Sequence, residues 1–159
     1  MVNPVLAVGD RAPAFTLPNS NGERVRLTEL RGLWVVLSFG TRANSASCVR
    51  LLKEFNRREK SFDSLQATVF GIRPKSSLNG HAVGTASSCA AVLFDQDYKI
   101  AKRYGVWREK NDHGRQYYGF VRSCILVDPS GRIAHIFDNA RIPGLVKRVL
   151  DVLHQEIYS

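Results

Sequence analysis

The run Trp34-Val35-Val36-Leu37-Ser38-Phe39 stands between Arg31-Gly32 and Gly40 and holds almost nothing but large apolar and β-branched residues. A strand with one face in water would alternate polar and apolar residues, so an unbroken run of this kind describes a strand covered on both faces. Such a strand lies inside a sheet with helices packed on either side. The run therefore commits the chain to an α/β architecture. The 159 residues suffice for one globular domain with one large core, and we read positions 1–159 as that domain.

The flanking segments fit around this strand. Residues 9–17 and 24–27 read as two short strands on either side of the turn-rich Pro18-Asn19-Ser20-Asn21-Gly22, an N-terminal hairpin. After residues 41–44, Cys48, Leu51, Leu52, Phe55 and Phe62 recur at helical spacing, with Arg50, Lys53, Arg57 and Lys60 opposite them, which predicts one amphipathic helix. Asn44 or Ser45 caps it, and Cys48 falls in its first turn. Residues 67–72 form a second buried strand. Residues 74–88, rich in Gly, Ser and Ala, predict a weak helix or a loop. Residues 90–94 give a strand, 98–104 a short helix and 110–116 a polar loop. Residues 120–127 and 133–137, joined by Asp128-Pro129-Ser130-Gly131, make a hairpin, and Leu145, Val146, Val149, Leu150 and Leu153 line one face of a closing helix. This order predicts a three-layer α/β/α domain of the thioredoxin type with an N-terminal hairpin extension.

Cys48 is the first candidate for chemistry. A thiol at the start of a helix that follows a central strand meets unpaired backbone N–H groups and the positive end of the helix dipole, and both favour the thiolate. Its place on the same stripe as Leu51, Leu52 and Phe55 equally suits a packed core cysteine. Arg122 lies in the apolar run Phe120, Val121, Cys124, Ile125, Leu126, so its guanidinium either reaches the sheet edge or meets an anion inside, and a thiolate would serve. Cys124 faces the same side of its strand as Arg122 and reads as core packing.

Composition narrows the rest. The 23 Lys and Arg against 14 Asp and Glu give a formal charge of +9, which favours acidic partners. The basic positions Arg50, Lys53, Arg57, Arg58 and Lys60 are not interleaved with aromatic residues, so they read as a solvated helix face rather than a nucleic-acid surface. The same face suits the docking of an acidic partner. Three widely spaced cysteines fit reduced thiols in the cytoplasm better than a disulfide scaffold, and the scattered His81, His113, His135 and His154 make no metal-binding pattern. There is no glycine fingerprint for a dinucleotide or phosphate cofactor, and no apolar run long enough to cross a bilayer.

Several separate stretches, in order and spacing, resemble the peroxiredoxins: Gly9-Asp10-Arg11-Ala12-Pro13-Ala14-Phe15 with Leu17; Val35-Val36-Leu37-Ser38-Phe39; Ser45 three residues before Cys48; Tyr104-Gly105-Val106-Trp107; and Val121-Arg122-Ser123 with Leu126-Val127-Asp128 and Gly131. The subgroup resembled is the bacterioferritin comigratory protein or PrxQ type. The likeness runs from about residue 8 to 153 and lapses between 73 and 90. It implies a peroxiredoxin fold and a thiol peroxidase that reduces hydrogen peroxide or organic hydroperoxides. Cys48 would be the peroxidatic cysteine, Ser45 the hydroxyl the family holds as Thr or Ser, and Arg122 the arginine of the site.

Two positions depart from the family pattern. Thr41 stands where the family has a proline seven residues before the cysteine, which opens the sulfur to water. Lys53 stands where many relatives carry a resolving cysteine, so Cys89 or an external thiol, from a thioredoxin-like protein or a small molecule, must reduce the sulfenic acid. The resemblance names no cofactor and leaves monomer and homodimer open. An alternative reading is a degenerate redoxin-fold sensor or binding module with little turnover. A thioredoxin-like disulfide reductase is weaker, because the chain has no Cys-x-x-Cys pair.

Overall fold

The computed structural model describes residues 6–40, 46–74, 90–138, 141 and 143–159. In chain order the elements are β1 (Thr16–Pro18), β2 (Arg24–Arg26), β3 (Trp34–Phe39), α1 (Ala46–Arg57), α2 (Glu59–Ser64), β4 (Ala67–Pro74), β5 (Ala90–Asp95), α3 (Lys99–Arg103), β6 (Trp107–Asp112), β7 (Arg115–Phe120), β8 (Ser123–Val127), β9 (Ile133–Phe137) and α4 (Leu145–Tyr158). The apolar run is the middle strand of a five-stranded sheet ordered β5-β4-β3-β8-β9. β4 pairs with β3 in parallel and β5 with β4 in parallel, while β8 runs antiparallel to β3 and to β9.

Alternation along β3 divides the core in two. Val35, Leu37 and Phe39 point to one side, where Phe15, Leu27, Ile100, Ala101 and Tyr104 close over them. Val36 points to the other, against Leu51, Leu52 and Phe55 of α1, Phe62 of α2 and Leu145, Val149 and Leu153 of α4. A sheet with helices on both faces is the three-layer arrangement the sequence predicts. The N-terminal hairpin forms as β1 and β2, with Leu17 opposite Val25, but its first strand is confined to Thr16–Pro18 rather than spanning residues 9–17.

The structure corrects the sequence reading in four further places. The predicted single helix is two, α1 and α2, with Arg58 at the junction. Phe55 and Phe62 still meet across the break, with ring centroids 5.7 Å apart. The predicted polar loop 110–116 is instead the end of a hairpin, with 110–112 in β6, 115 and 116 in β7 and only His113-Gly114 as the turn. The predicted strand 120–127 is interrupted, because Phe120 ends β7 and Ser123 begins β8, so Val121 and Arg122 form a corner between them. β4 continues two residues beyond the predicted end, through Arg73 to Pro74, because Arg73 and Pro74 pair with Phe94 and Asp95. The expected capping residues Asn44 and Ser45 and the expected weak helix or loop over 74–88, beyond Pro74, lie outside the described residues.

Candidate active site

α1 begins a few residues after the C-terminal end of β3, and Cys48 lies in its first turn, as its spacing predicts. This end of the sheet gathers the other groups. Ser38 lies opposite Cys124 in the β3–β8 register and Phe39 opposite Ser123, so Arg122, one residue earlier, enters at the same edge from which the chain leaves β3 for α1. The corner carrying Arg122 is held by the Val121 N–H, which donates to the Val106 carbonyl at 2.7 Å. Ser123 Oγ also donates to the Val121 carbonyl at 2.9 Å. Topology thus brings residue 48 and Arg122 to one edge. Thr41, Ser45 and Cys89 lie outside the described residues.

A second arginine, not singled out from the sequence, stands at this edge. Arg73, at the C-terminal end of β4, is fully buried. Its Nη1 donates to the carbonyls of Ser38, across the strand pair, and of Ile72. The sequence signal was an arginine between an apolar strand and Pro74, which reads as the place where a strand leaves the core; the extra β4–β5 pairing keeps it inside.

Cys124 measures the field here. Complete burial pushes its thiol up from an ordinary 9.0 to about 11, while Ser38 and the charges of Arg73, Arg148 and Arg122 pull the other way. Burial wins, so Cys124 is a neutral core thiol, but three guanidinium groups act on it. Arg148 belongs to α4 and donates to the carbonyls of Pro143 and Arg141. The buried carboxylate at this end, Asp95, sits on the opposite face of the sheet and accepts from the Ile100 and Ala101 amides. Burial raises its pKa against those hydrogen bonds.

The flank of α1 away from the sheet is basic. A cavity of about 320 Å³ opens between α1 and the start of α4, lined by Arg50, Leu51, Glu54, Arg58, Gly144 and Lys147 among others. Glu54 is ion-paired with Arg57 and Arg58. No helix of the described residues is long and apolar enough to cross a membrane.

A cysteine at the start of the helix after the central strand, with arginines converging on the same sheet edge, is the arrangement of a thioredoxin-like redox protein. The AhpC/TSA family model matches residues 8–136, and the chain belongs to that family. It is 32% identical over 141 residues to peroxiredoxin Bcp of Escherichia coli, covering 87% of this chain and 88% of that one. It is 28% identical over 149 residues to peroxiredoxin Bcp of Bacillus subtilis, covering 93% and 95%. In fold it superposes on a PrxQ variant of Xylella fastidiosa with a TM-score of 0.84 at 24% identity, over 97% of this chain and 99% of that one. Within the family it falls with the Bcp and PrxQ peroxiredoxins, which makes it a thiol-dependent peroxidase.

Proposed function

We propose that this peroxiredoxin reduces hydrogen peroxide or an organic hydroperoxide through Cys48, with Arg122, Ser45 and Thr41 as the surrounding groups. The observation that carries the reading is the position of Cys48 in the first turn of α1, at the same sheet edge as Arg122. The Cys48 thiolate attacks the nearer peroxide oxygen in line. A sulfur–oxygen bond forms, the O–O bond breaks, two electrons pass from sulfur to the peroxide, and the departing oxygen leaves as water or an alcohol after taking a proton. Negative charge grows on that oxygen, so the Arg122 guanidinium, the Ser45 hydroxyl and the backbone N–H groups at the helix start lower the barrier. Thr41, in the place of the family's proline, sets how far water reaches the sulfur.

The product is a Cys48 sulfenic acid. A thiol condenses with it to a disulfide and releases water, and a further thiol reduces that disulfide. In this reading the first thiol is Cys89 or belongs to an external reductant, thioredoxin-like or small. The basic flank of α1 suits an acidic protein reductant. A reduced thiol cycle suits the cytoplasm. The whole chain acts as one thioredoxin-like unit, as monomer or homodimer; the two apolar clusters that share one sheet support this.

Peroxide consumption with dithiothreitol as reductant tests the assignment. Cys48→Ser is expected to abolish turnover, and unchanged turnover overturns the reading. A non-reducing peptide map after brief peroxide treatment separates a Cys48–Cys89 bridge from an unbridged, oxidised Cys48. Stoichiometric oxidation of Cys48 without turnover under any reductant identifies a sensor instead.

A further inference from the structure

Arg73 has the largest side chain among the fully buried residues described. Val69, Gly71 and Arg73 share one face of β4, and Val69 belongs to the apolar cluster that packs under α1. The Arg73 side chain folds back over Gly71. A Cβ on Gly71 would stand 3.5 Å from both Cζ and Nη1 of Arg73 and 3.0 Å from Cδ2 of Leu52. The guanidinium therefore lies beside Leu52 of α1, on the face of the sheet that α1 covers. Residue 48 precedes Leu52 by one helical turn, about 6 Å along the axis, toward the edge where β4 ends.

We propose that Arg73 is an electrostatic positioning residue of the peroxidatic site, a fixed positive charge beneath the first turns of α1 that holds the Cys48 thiol ionised. The proposal rests on the assignment of Cys48 made above. The Ser38 and Ile72 carbonyls that accept from Nη1 hold the group in place. Its charge already acts on Cys124, across β3 from it.

The other charges around this end of the helix are distinct. Arg122 is half-buried at the edge and Arg148 lies on the exposed side of α4. Arg50 and Lys53 face outward on α1 itself. Glu54 is engaged with Arg57 and Arg58 on the outer flank, and Asp95 is on the far side of the sheet. Among the described cations at this end Arg73 is the interior one, where low dielectric and the exclusion of salt make a charge act most strongly. A division of labour follows. Arg122 meets the charge that develops on the departing oxygen, whereas Arg73 acts on the resting sulfur through the protein interior.

The test is the pH midpoint of Cys48 alkylation by iodoacetamide, read peptide by peptide by mass spectrometry, in the wild type, Arg73→Met and Arg73→Gln. Gln loses the charge but retains N–H donors, whereas Met loses both. Both variants are expected to raise the midpoint by about one pH unit, which lowers the thiolate fraction roughly tenfold below the wild-type midpoint and by less above it. Peroxide reduction should fall in proportion to the thiolate lost at each pH and recover at about pH 9 to 10, where the sulfur ionises unaided. A wild-type midpoint in both variants overturns the proposal. So does a shift in Met with none in Gln, which would assign Arg73 to packing alone. Should Arg73→Met fail to fold, Arg73→Gln decides by itself. Alkylation does not depend on turnover, so this result stands apart from that of Cys48→Ser.

Discussion

The Arg73 guanidinium occupies the space above the bare α-carbon of Gly71, two residues earlier on the same strand, and shares that space with Leu52. Gly71 is thus a packing requirement, and its backbone does not need the left-handed region. Gly71→Ala would press a methyl against Leu52, which is 1% exposed and has little room to withdraw. We expect a loss of stability of about 1–2 kcal/mol in urea unfolding, typical of overpacking, together with slower peroxide turnover as the start of α1 is displaced.

Arg122 stands in the corner between β7 and β8, outside any strand. Its replacement should leave the fold intact. Arg122→Gln is expected to lower kcat/KM for hydrogen peroxide by about 10²–10³, as for other donors that meet a developing oxyanion, while the melting temperature moves by no more than about 2 °C. Unlike the Arg73 variants, it should gain little from alkaline pH. Stopped-flow measurement at pH 7 and pH 9.5 checks both statements.

Cys124 is fully buried with its thiol raised to about 11. It is expected to escape iodoacetamide at pH 8 in the native protein and to react once urea unfolds the chain. The folded-state pKa lies above the unfolded one. The stabilising contribution is therefore complete below pH 9 and is lost as the pH rises toward 11, because the unfolded thiol ionises and the folded one does not. Cys124→Ala should keep peroxide turnover and flatten that alkaline loss of stability, as seen in thermal melts from pH 7 to pH 10.5.

The Asp128 carboxylate organises the β8–β9 turn. Its Oδ1 accepts from the Ser130 amide at 3.0 Å, the Ser130 hydroxyl at 2.7 Å and the Arg132 amide at 2.9 Å. Burial alone would raise its pKa, but these bonds outweigh it and hold the group below its ordinary 3.8. A depressed carboxylate stabilises above its unfolded pKa and ceases to as the pH falls through the folded one. Asp128→Ala is accordingly expected to melt about 4 °C lower at pH 7, for a loss of about 1 kcal/mol, with the gap narrowing below about pH 4.

The parts of the fold that carry strong periodicity were legible. β3 shows as an unbroken apolar run. α4 shows as five residues on one stripe, all of them buried. The first turn of α1, with Cys48 in it, follows from the same spacing. The β6–β7 hairpin was not legible from hydrophobicity, because Arg108-Glu109-Lys110-Asn111-Asp112 carries no apolar alternation. Its signal was the turn: His113 and Gly114 both take positive φ, 52° and 78°, the two-residue loop that an x-Gly pair favours between strands. Arg73 was hidden for a different reason. An arginine after six strand residues marks the surface unless a neighbouring strand extends the sheet past it, and β5 does so through Phe94 and Asp95.

The strand register at β3 has a consequence beyond holding the sheet together. Side chains change faces at every step, so sliding β4 by one residue would carry Arg73 through the sheet into the cluster beside Phe39 and Tyr104. The same slip in β8 would turn Cys124 outward from its layer. Hydrogen-bond pairing here is therefore also an address for charge, and a chain that misaligns these strands by one step loses its core and its chemistry together.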